Sequence, residues 1–225
     1  MKKIPIRHIS EAHKEPPSSE RFTIRRVEDI MGGIDLAQEL HRHDFFFILA
    51  LQYGKGHHEI DFTPYKIVDN AVFILRPGQV HRLELKAGCS GYLVEFNTEF
   101  YHPTGKASSQ RLRKASNKNY CLPEPSRFNK LQAILTSIFR EYTDREEGFQ
   151  YLIKASLDIF FIGLIRQSPT PKGHTTVDNP YTQERFEEFL ALLEKHIATQ
   201  KQVSQYTAQM NLSSYQLNEI TKTSI

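Results

Sequence analysis

Apolar residues come in short runs between residues 21 and 100, and turn-forming dipeptides such as Asp69-Asn70 and Pro77-Gly78 separate them. The runs are too short for helices, and short apolar runs bounded by turn residues are typical of β-strands in a sandwich or barrel. We therefore predict an antiparallel β-barrel. Its strands are predicted at residues 22–27, 45–51, 59–62, 66–68, 71–75, 83–85 and 92–96.

The hydrophobic period lengthens after Pro123 and Pro125. Residues 126–142 place apolar side chains at helical spacing, and residues 147–167 predict a second helix, so the two would form a hairpin over 126–167. This hairpin could cover the barrel, and its excess apolar surface also suits a dimer interface. For that interface we predict Leu131, Ile138, Phe160, Phe161 and Ile165.

Two polar stretches divide the chain. Residues 1–20 contain Pro16-Pro17-Ser18-Ser19 and predict a flexible N-terminal arm, and residues 168–180 predict a linker. The predicted order is the arm, a sensing and dimerisation domain at 21–167, the linker, and a helical module at 181–225. The fold class is α+β.

Residues 203–220 have the pattern of a helix-turn-helix. Asn211 suits the left-handed conformation that ends a first helix, and Ser213 with Gln216 predicts a capping box for a second helix that buries Leu217 and Ile220. Such a unit lays its second helix in the DNA major groove, although paired short helices also occur as plain structure. The apolar residues of the first helix are Val203, Tyr206, Ala208 and Met210, with the small Ala208 at the helix crossing.

Composition narrows the class of protein. The chain is 39% hydrophobic and 24% charged, as in ordinary soluble proteins, and no run approaches the roughly 18 apolar residues of a membrane span. Cys89 and Cys121 fit no metal spacing and, without a secretion signal, indicate reduced thiols in the cytoplasm. The net charge of +3 does not by itself imply a polyanion partner. Residues 181–225 hold four Lys or Arg against five Glu, a net charge of −1, which is unusual for a DNA-binding module.

Three histidines carry the candidate chemistry of the β region. His41 and His43 alternate along one strand and can face the same side, and His81 follows the turn at Pro77-Gly78. The pattern resembles the metal-binding signature of cupin barrels, but the expected Glu falls within an apolar run. We therefore predict no metal, with a His-only site at His41, His43 and His81 as the alternative. The segment His57-His58-Glu59 is predicted to lie on a hairpin surface.

A metal-free barrel would enclose a dry pocket for a small molecule. The predicted pocket residues are His41, His43, Phe45, Phe47, Phe73, His81 and Tyr92, with Phe62 and Phe96 as further aromatic candidates. No phosphate-binding loop, dinucleotide fingerprint, nucleophile elbow or C-x-x-C occurs in the sequence, so we predict no enzyme and no cofactor. The alternative is a metal-dependent cupin enzyme, a dioxygenase or isomerase.

The order of these parts resembles the AraC/XylS-type bacterial transcription regulators. The most specific matches are His41-Arg42-His43-Asp44-Phe45 and residues 76–82 and 203–225. The resemblance implies that a cupin-like barrel binds a small-molecule effector, that the arm closes over it, and that the hairpin forms a homodimer. It also implies DNA contacts from a recognition helix at 214–224, through Ser214, Tyr215, Gln216, Asn218, Glu219 and Lys222.

Regulators of this type continue past the position of Ile225 with a connecting helix and a second helix-turn-helix. The chain is therefore expected to be a truncated, cytoplasmic regulator that senses and dimerises but binds DNA weakly or not at all. Its fold would be a cupin-like antiparallel β-barrel, a helical hairpin and a partial all-α helix-turn-helix module. A further hypothesis is a dimerisation module that titrates full-length partners.

Overall fold

The computed structural model describes residues 4–9, 21–101, 106–166 and 180–224. The chain divides into two compact units, residues 1–169 and 170–225. The first carries two facing β-sheets and a helical layer, and the described residues of the second form helices joined by short turns. Among the helices described, none combines the length and the hydropathy that a bilayer-spanning segment requires.

Each sheet of the first unit has five strands among the described residues. In spatial order, the first sheet consists of β1 (Ile6–Arg7), β3 (Leu36–His43), β8 (Val80–Leu85), β5 (Gly56–Ile60) and β6 (Thr63–Ile67). The second consists of β10 (Tyr120–Cys121), β7 (Val72–Leu75), β4 (Phe46–Tyr53), β9 (Ser90–Phe96) and β2 (Phe22–Arg26). Neighbouring strands are antiparallel except β1 and β3, which are parallel. The predicted fold class, α+β with a cupin-like antiparallel barrel, is confirmed.

Strand β4 is apolar on both faces because each face is buried in a different core. Phe47 and Leu49 pack between the two sheets, in a core shared with Phe73 of β7. Phe46 and Ile48 point to the other side and pack beneath the helices. A run buried on both faces does not alternate in polarity, so the sequence alone does not indicate which of its aromatic residues face inward.

Three aromatic residues predicted for the pocket lie elsewhere. Tyr92 and Phe96 of β9 belong to the core beneath the helices, where the Tyr92 hydroxyl lies 3.1 Å from Oγ1 of Thr136. Phe62 is largely exposed in the turn between β5 and β6. Their assignment to the pocket is therefore wrong, because the register of β9 turns Tyr92 and Phe96 away from the space between the sheets.

The predicted helical hairpin corresponds to α3 (Pro125–Asp144) and α4 (Phe149–Ile165), packed against the second sheet. Leu131, Ile138, Phe160 and Phe161 are almost completely buried inside this unit, and Ile165 is partly buried against the same core. For the four buried residues, the prediction of a dimer interface is wrong. They cover the sheet, so a second copy has no access to them.

Several elements of the first unit were not predicted. They are the strands β1 and β10, residues 36–40 of β3, and the helices α1 (Val27–Met31) and α2 (Lys106–Ser116). Residues 4–9 of the predicted arm lie against the barrel: the Arg42 amide donates to the Pro5 carbonyl at 3.0 Å, and Ile9 is buried in the core between the sheets. The remainder of the predicted arm, and the predicted linker before Pro180, lie outside the described residues.

The described part of the second unit contains α5 (Pro180–His196), α6 (Val203–Met210) and α7 (Ser214–Ser224). Asn211 ends α6 in the left-handed conformation at φ 51°, as expected for a residue that tolerates this region. Residues 213 and 216 form the expected reciprocal cap: the Ser213 amide donates to Gln216 Oε1 at 2.8 Å, and the Gln216 amide donates to Ser213 Oγ at 3.2 Å.

The buried face of α7 is as predicted, whereas that of α6 is predicted only in part. Leu217 and Ile220 of α7 are buried, as predicted. On α6, Tyr206 and Met210 are buried, but Ala208 is exposed and Thr207 is buried in its place. The predicted role of Ala208 at the helix crossing is therefore wrong, and the exposed Val203 likewise lies outside the core of the module.

Candidate functional site

An irregularity in β3 decides which of its side chains face the interior of the barrel. Gln38 pairs with Leu83 of β8, whereas His41 pairs with His81, so β3 has one residue more than β8 over this interval. A β-bulge of this kind shifts the alternation of side chains by one position. As a result Gln38, His41 and His43 all face inward, although a regular strand would turn Gln38 away from the two histidines.

Four buried histidines meet inside the barrel. At the centre is His81, whose Nδ1 lies 2.9 Å from Nε2 of His58 and whose Nε2 lies 2.7 Å from Nε2 of His43. His41 completes the cluster, with its ring centroid 4.3 Å from that of His81. His41 Nδ1 lies 2.6 Å from the carbonyl oxygen of Glu39, within the bulge. Because a carbonyl only accepts, His41 Nδ1 carries the proton and donates it.

The tautomer of His41 leaves its other ring nitrogen available. With the proton on Nδ1, the lone pair is on Nε2, and this buried atom has no hydrogen-bond partner among the described residues. In the chain from His43 through His81 to His58, each neutral ring carries one proton, so the hydrogen bonds can run in either direction. The cluster can therefore hold a proton network or present lone pairs to a ligand.

Burial lowers the pKa of all four histidines. Loss of solvation lowers the pKa of His43 to about 4 and that of His58 to about 3, and repulsion from neighbouring rings adds to both effects. Loss of solvation on burial also lowers the pKa values of His41 and His81. At neutral pH the cluster therefore consists of uncharged imidazoles, the form that ligates metals or exchanges hydrogen bonds.

His58 is a site residue that the sequence prediction missed. The prediction of a hairpin surface is right for the exposed His57 and wrong for His58, which is completely buried and whose ring centroid lies 4.8 Å from that of Phe73. Residues 56, 58 and 60 of β5 are buried and residue 57 is exposed. The alternation of side chains along this strand was the available signal, since Ile60 fixes the inward face.

A cavity of about 150 Å³ lies between the two sheets beside His43. Phe47 and His43 form part of its wall, so the cavity adjoins the histidine cluster. Most of the remaining wall is aliphatic, and it comes from both sheets and from α1. The aliphatic residues are Val27, Ile30, Leu36, Leu49, Leu83, Leu85 and Leu93.

Polar side chains are concentrated in the same cavity. Arg7 of β1, Arg25 of β2, Gln38 of β3 and Glu95 of β9 all line it. The Glu95 carboxylate is almost completely buried and accepts hydrogen bonds from Oγ1 of Thr23 at 3.0 Å and from Nη2 of Arg25 at 3.2 Å. An enclosed apolar space with a few fixed polar groups is the usual form of a small-molecule site.

The predicted pocket and the observed cavity overlap only in part. Of the predicted residues, His43 and Phe47 line the cavity, while His41, Phe45, Phe73 and His81 are buried beside it. The polar residues of the cavity were missed: Arg7 lay in the predicted arm, and Gln38 lay before the predicted strand residues His41 and His43. Glu95 gave a usable signal, because a single carboxylate within the apolar run at 92–96 is seldom buried without a polar partner.

The histidine cluster fits a metal ion in its donor atoms. His41, His43 and His81 each offer a nitrogen, and these atoms lie within 4.8 Å of one another. The unpartnered Nε2 of His41 is one such donor. No carboxylate belongs to this group within the described part of the chain, and the buried Glu95 is already held by Thr23 and Arg25. The residues present would therefore form a His-only site, of a kind that suits zinc or iron.

The second unit presents the predicted DNA-contact residues on one helix. Ser214, Tyr215, Gln216, Asn218, Glu219 and Lys222 are all exposed on α7. The Gln216 side chain is engaged in the cap, and Lys222 forms an ion pair with Glu219 at 3.6 Å. Exposure is required for these residues to reach DNA, and their role in binding stays a prediction.

The chain matches a known protein family. The family model described as the AraC-like ligand binding domain matches residues 35–160, more than half of the chain. The matched region begins at β3 and ends near the end of α4, so it contains the histidine cluster and most of the cavity wall. None of the curated proteins compared with the chain matches it.

The solved structures that resemble the chain include three of low sequence identity. The AraC-like transcriptional activator CuxR is 11% identical over 80% of this chain and 61% of its own, with a TM-score of 0.41. ToxT from Vibrio cholerae O395 is 9% identical over 90% of this chain and 74% of its own, with a TM-score of 0.46. A cupin protein from Bacteroides fragilis is 14% identical over 37% of this chain and 83% of its own, with a TM-score of 0.25. The chain thus spans less than two thirds of CuxR.

Proposed function

Because the chain belongs to the family of AraC-like ligand binding domains, we propose that its barrel senses a small-molecule effector and that the signal regulates transcription. The observation that carries the proposal is the cavity between the sheets, with its aliphatic wall and its cluster of polar side chains. A cavity of this kind binds small molecules through buried apolar area and orients them through a few hydrogen bonds. No catalytic step is part of the proposal.

The test is ligand-induced stabilisation combined with a variant that fills the cavity. A ligand that binds the folded state raises the melting temperature, and the increase grows with the logarithm of the ligand concentration above Kd. Leu93→Phe adds a ring at the cavity wall and should abolish the stabilisation caused by a true effector. Leu122→Phe, at an exposed position, is the matched control and should respond as the wild type does. Stabilisation that survives Leu93→Phe would contradict binding in the cavity.

The second unit is the DNA-contacting part of the proposal. Its supporting features are the capped α7 and the exposed polar face of that helix. The net charge of −1 over residues 181–225 offers little neutralisation of phosphates, so we expect weak DNA binding by this chain. The proposal places the protein in the cytoplasm, where a bacterial regulator meets DNA.

We also propose a homodimer through the helical hairpin. Its interface would use exposed residues of α4 in place of the predicted residues that are buried. Leu152 and Ile159 of α4 are exposed and lie seven positions apart, so they share one face of the helix. The exposed Ala155 lies between them. This stripe points away from the core that buries Leu131 and Phe160. Apolar residues on the outer face of a helical layer suit contact with a second copy.

A metal-dependent cupin enzyme is the second candidate, and the histidine cluster is the observation that favours it. Metal analysis of the purified, tag-free protein separates the two candidates. Near-stoichiometric zinc, iron or manganese that is lost in His41→Ala and His81→Ala would support the enzyme, or a regulator that senses metal. A metal content far below one equivalent, unchanged by these substitutions, would support an organic effector.

A further inference from the structure

Among the described residues that line the barrel cavity, positive charges outnumber negative charges. The guanidinium groups of Arg7 and Arg25 line it, and Glu95 supplies the carboxylate. Arg25 donates to Glu95 at 3.2 Å, so these two charges are matched within the protein. Arg7 has no ion-pair partner among the described residues, and it is only half-buried on β1. One cation at the cavity is therefore left for a bound molecule.

Hydrogen-bonding capacity around the cavity is also incompletely used. Nε of Arg25 is buried and has no hydrogen-bond partner within the described part of the chain, and the same holds for Oε1 of Gln38. The amide of Gln38 can present its NH₂ group in the same volume by rotating half a turn. Buried polar groups in proteins are nearly always partnered, so donors of this kind indicate an acceptor-rich group on the ligand.

The apolar wall and the volume of the cavity limit the polarity and the size of the ligand. Leu49, Leu83, Leu85, Leu93 and Val27 offer apolar contacts alone. The cavity volume is about 150 Å³. An engineered apolar cavity of roughly 150 Å³ in another protein binds benzene, which sets the scale of what fits here. The space is suited to one aromatic ring or a short alkyl chain.

We propose that the effector is a small carboxylic acid, bound as its anion, with an apolar body of about one ring or a short chain. Its carboxylate accepts hydrogen bonds from Arg7 and Arg25, with Gln38 alongside, and its body contacts the leucines of both sheets. A neutral ligand leaves the charge of Arg7 unmatched, and a cation meets two guanidinium groups. The inference rests on the proposed sensing function and adds the chemical class of the effector.

Matched pairs of probes test the class. Benzoate is compared with benzamide, and hexanoate with hexanamide, by calorimetry and thermal shift at pH 7 with the full chain. Each pair shares its apolar body and differs in charge. Each carboxylate is expected to bind at least about tenfold more tightly than its amide, as for hydrogen bonds to a charged group. Arg7→Gln should remove most of that preference, because it weakens carboxylate binding much more than amide binding.

Two further variants serve as controls for the charge and for the location of the arginine. Arg7→Lys retains the charge and should preserve most of the preference for carboxylates, which separates a charge effect from misfolding of β1. Arg76→Gln removes an exposed arginine outside the cavity and should have no effect.

Equal or tighter binding of the amides, or binding of neither carboxylate, would overturn the carboxylate class and leave small-molecule sensing intact. Carboxylate binding that persists in Leu93→Phe would contradict the cavity as the binding site, and with it the proposed sensing function.

Discussion

Nε2 of His43 and Nε2 of His81 lie 2.7 Å apart inside the barrel, and both residues are almost completely buried. A bulge in β3 turns His43 inward, and the adjacent strand β8 supplies His81. His43 also lines the cavity, so the hydrogen-bonded histidines and the proposed effector site share a residue. Conditions that charge these rings are therefore expected to affect both stability and ligand binding.

Stability should fall with pH below the ordinary histidine pKa. The pKa of His43 is lowered from 6.5 to about 4, and that of His58 to about 3, so the unfolded chain binds protons that the folded chain does not. The stability that depends on burying these histidines uncharged is complete above pH 6.5. It is lost as the pH falls toward the folded-state pKa values of His43 and His58. Each histidine contributes about 1.4 kcal/mol per pH unit in this range. Urea unfolding between pH 8 and pH 5 measures the slope, and an unfolding free energy that is constant over this interval would refute the account.

Substitution of the adjacent residues His57 and His58 of β5 should change the free energy of unfolding by different amounts. His58→Ala removes the partner of His81 Nδ1 and leaves a buried polar atom unsatisfied, which costs about 1–3 kcal/mol in addition to the loss of packing. His57→Ala changes an exposed side chain and should remain within about 0.5 kcal/mol of wild type. Chemical denaturation at pH 8 compares them. Equal effects would mean that His58 is not held in the cluster.

The outer stripe of α4 should control self-association. Ile159→Glu places a charge on this exposed face, so we expect the dimer to dissociate while the melting temperature of the monomer remains close to wild type. Gln150→Glu introduces the same charge at an exposed position of α4 away from Leu152 and serves as the control. Analytical ultracentrifugation gives the oligomeric state. A wild-type chain that is monomeric at high concentration, or a dimer unaffected by Ile159→Glu, would refute this interface.

Exposed and buried residues of α7 should separate DNA contact from folding. Tyr215→Ala and Asn218→Ala are expected to reduce DNA binding without changing thermal unfolding, because both side chains are exposed. Leu217→Ala should destabilise the module by about 2–5 kcal/mol because Leu217 is buried against its core. Fluorescence anisotropy at low salt suits the weak binding expected. Binding that is indifferent to Tyr215 and Asn218 would remove α7 as the contact helix.

The sequence predicted elements where a single local signal was sufficient. The cap at Ser213, the left-handed Asn211 and the buried pair Leu217 and Ile220 all follow from residue type and spacing, and the structure has them. The apolar strands were likewise found because each run was bounded by turn residues. Local chemistry determines such features, so no knowledge of distant contacts was needed.

The polar wall of the cavity could not be predicted because it depends on contacts between distant residues. Arg7 reaches the cavity through a parallel pairing with β3, which no local pattern indicates. Gln38 faces inward only because of the bulge that follows it. Tyr92 was misassigned for the opposite reason, since both faces of β9 are buried and the composition of the run does not distinguish them.

The most direct test of effector binding between the sheets is methyl NMR of the leucines. A compound that stabilises the protein is titrated into the chain with labelled leucine methyl groups. We expect shifts at Leu49, Leu83, Leu85 and Leu93, which line the cavity, and none at Leu131 or Leu157 beneath the helices. Shifts confined to Leu131 and Leu157, with the four cavity leucines unchanged, would contradict sensing in the barrel.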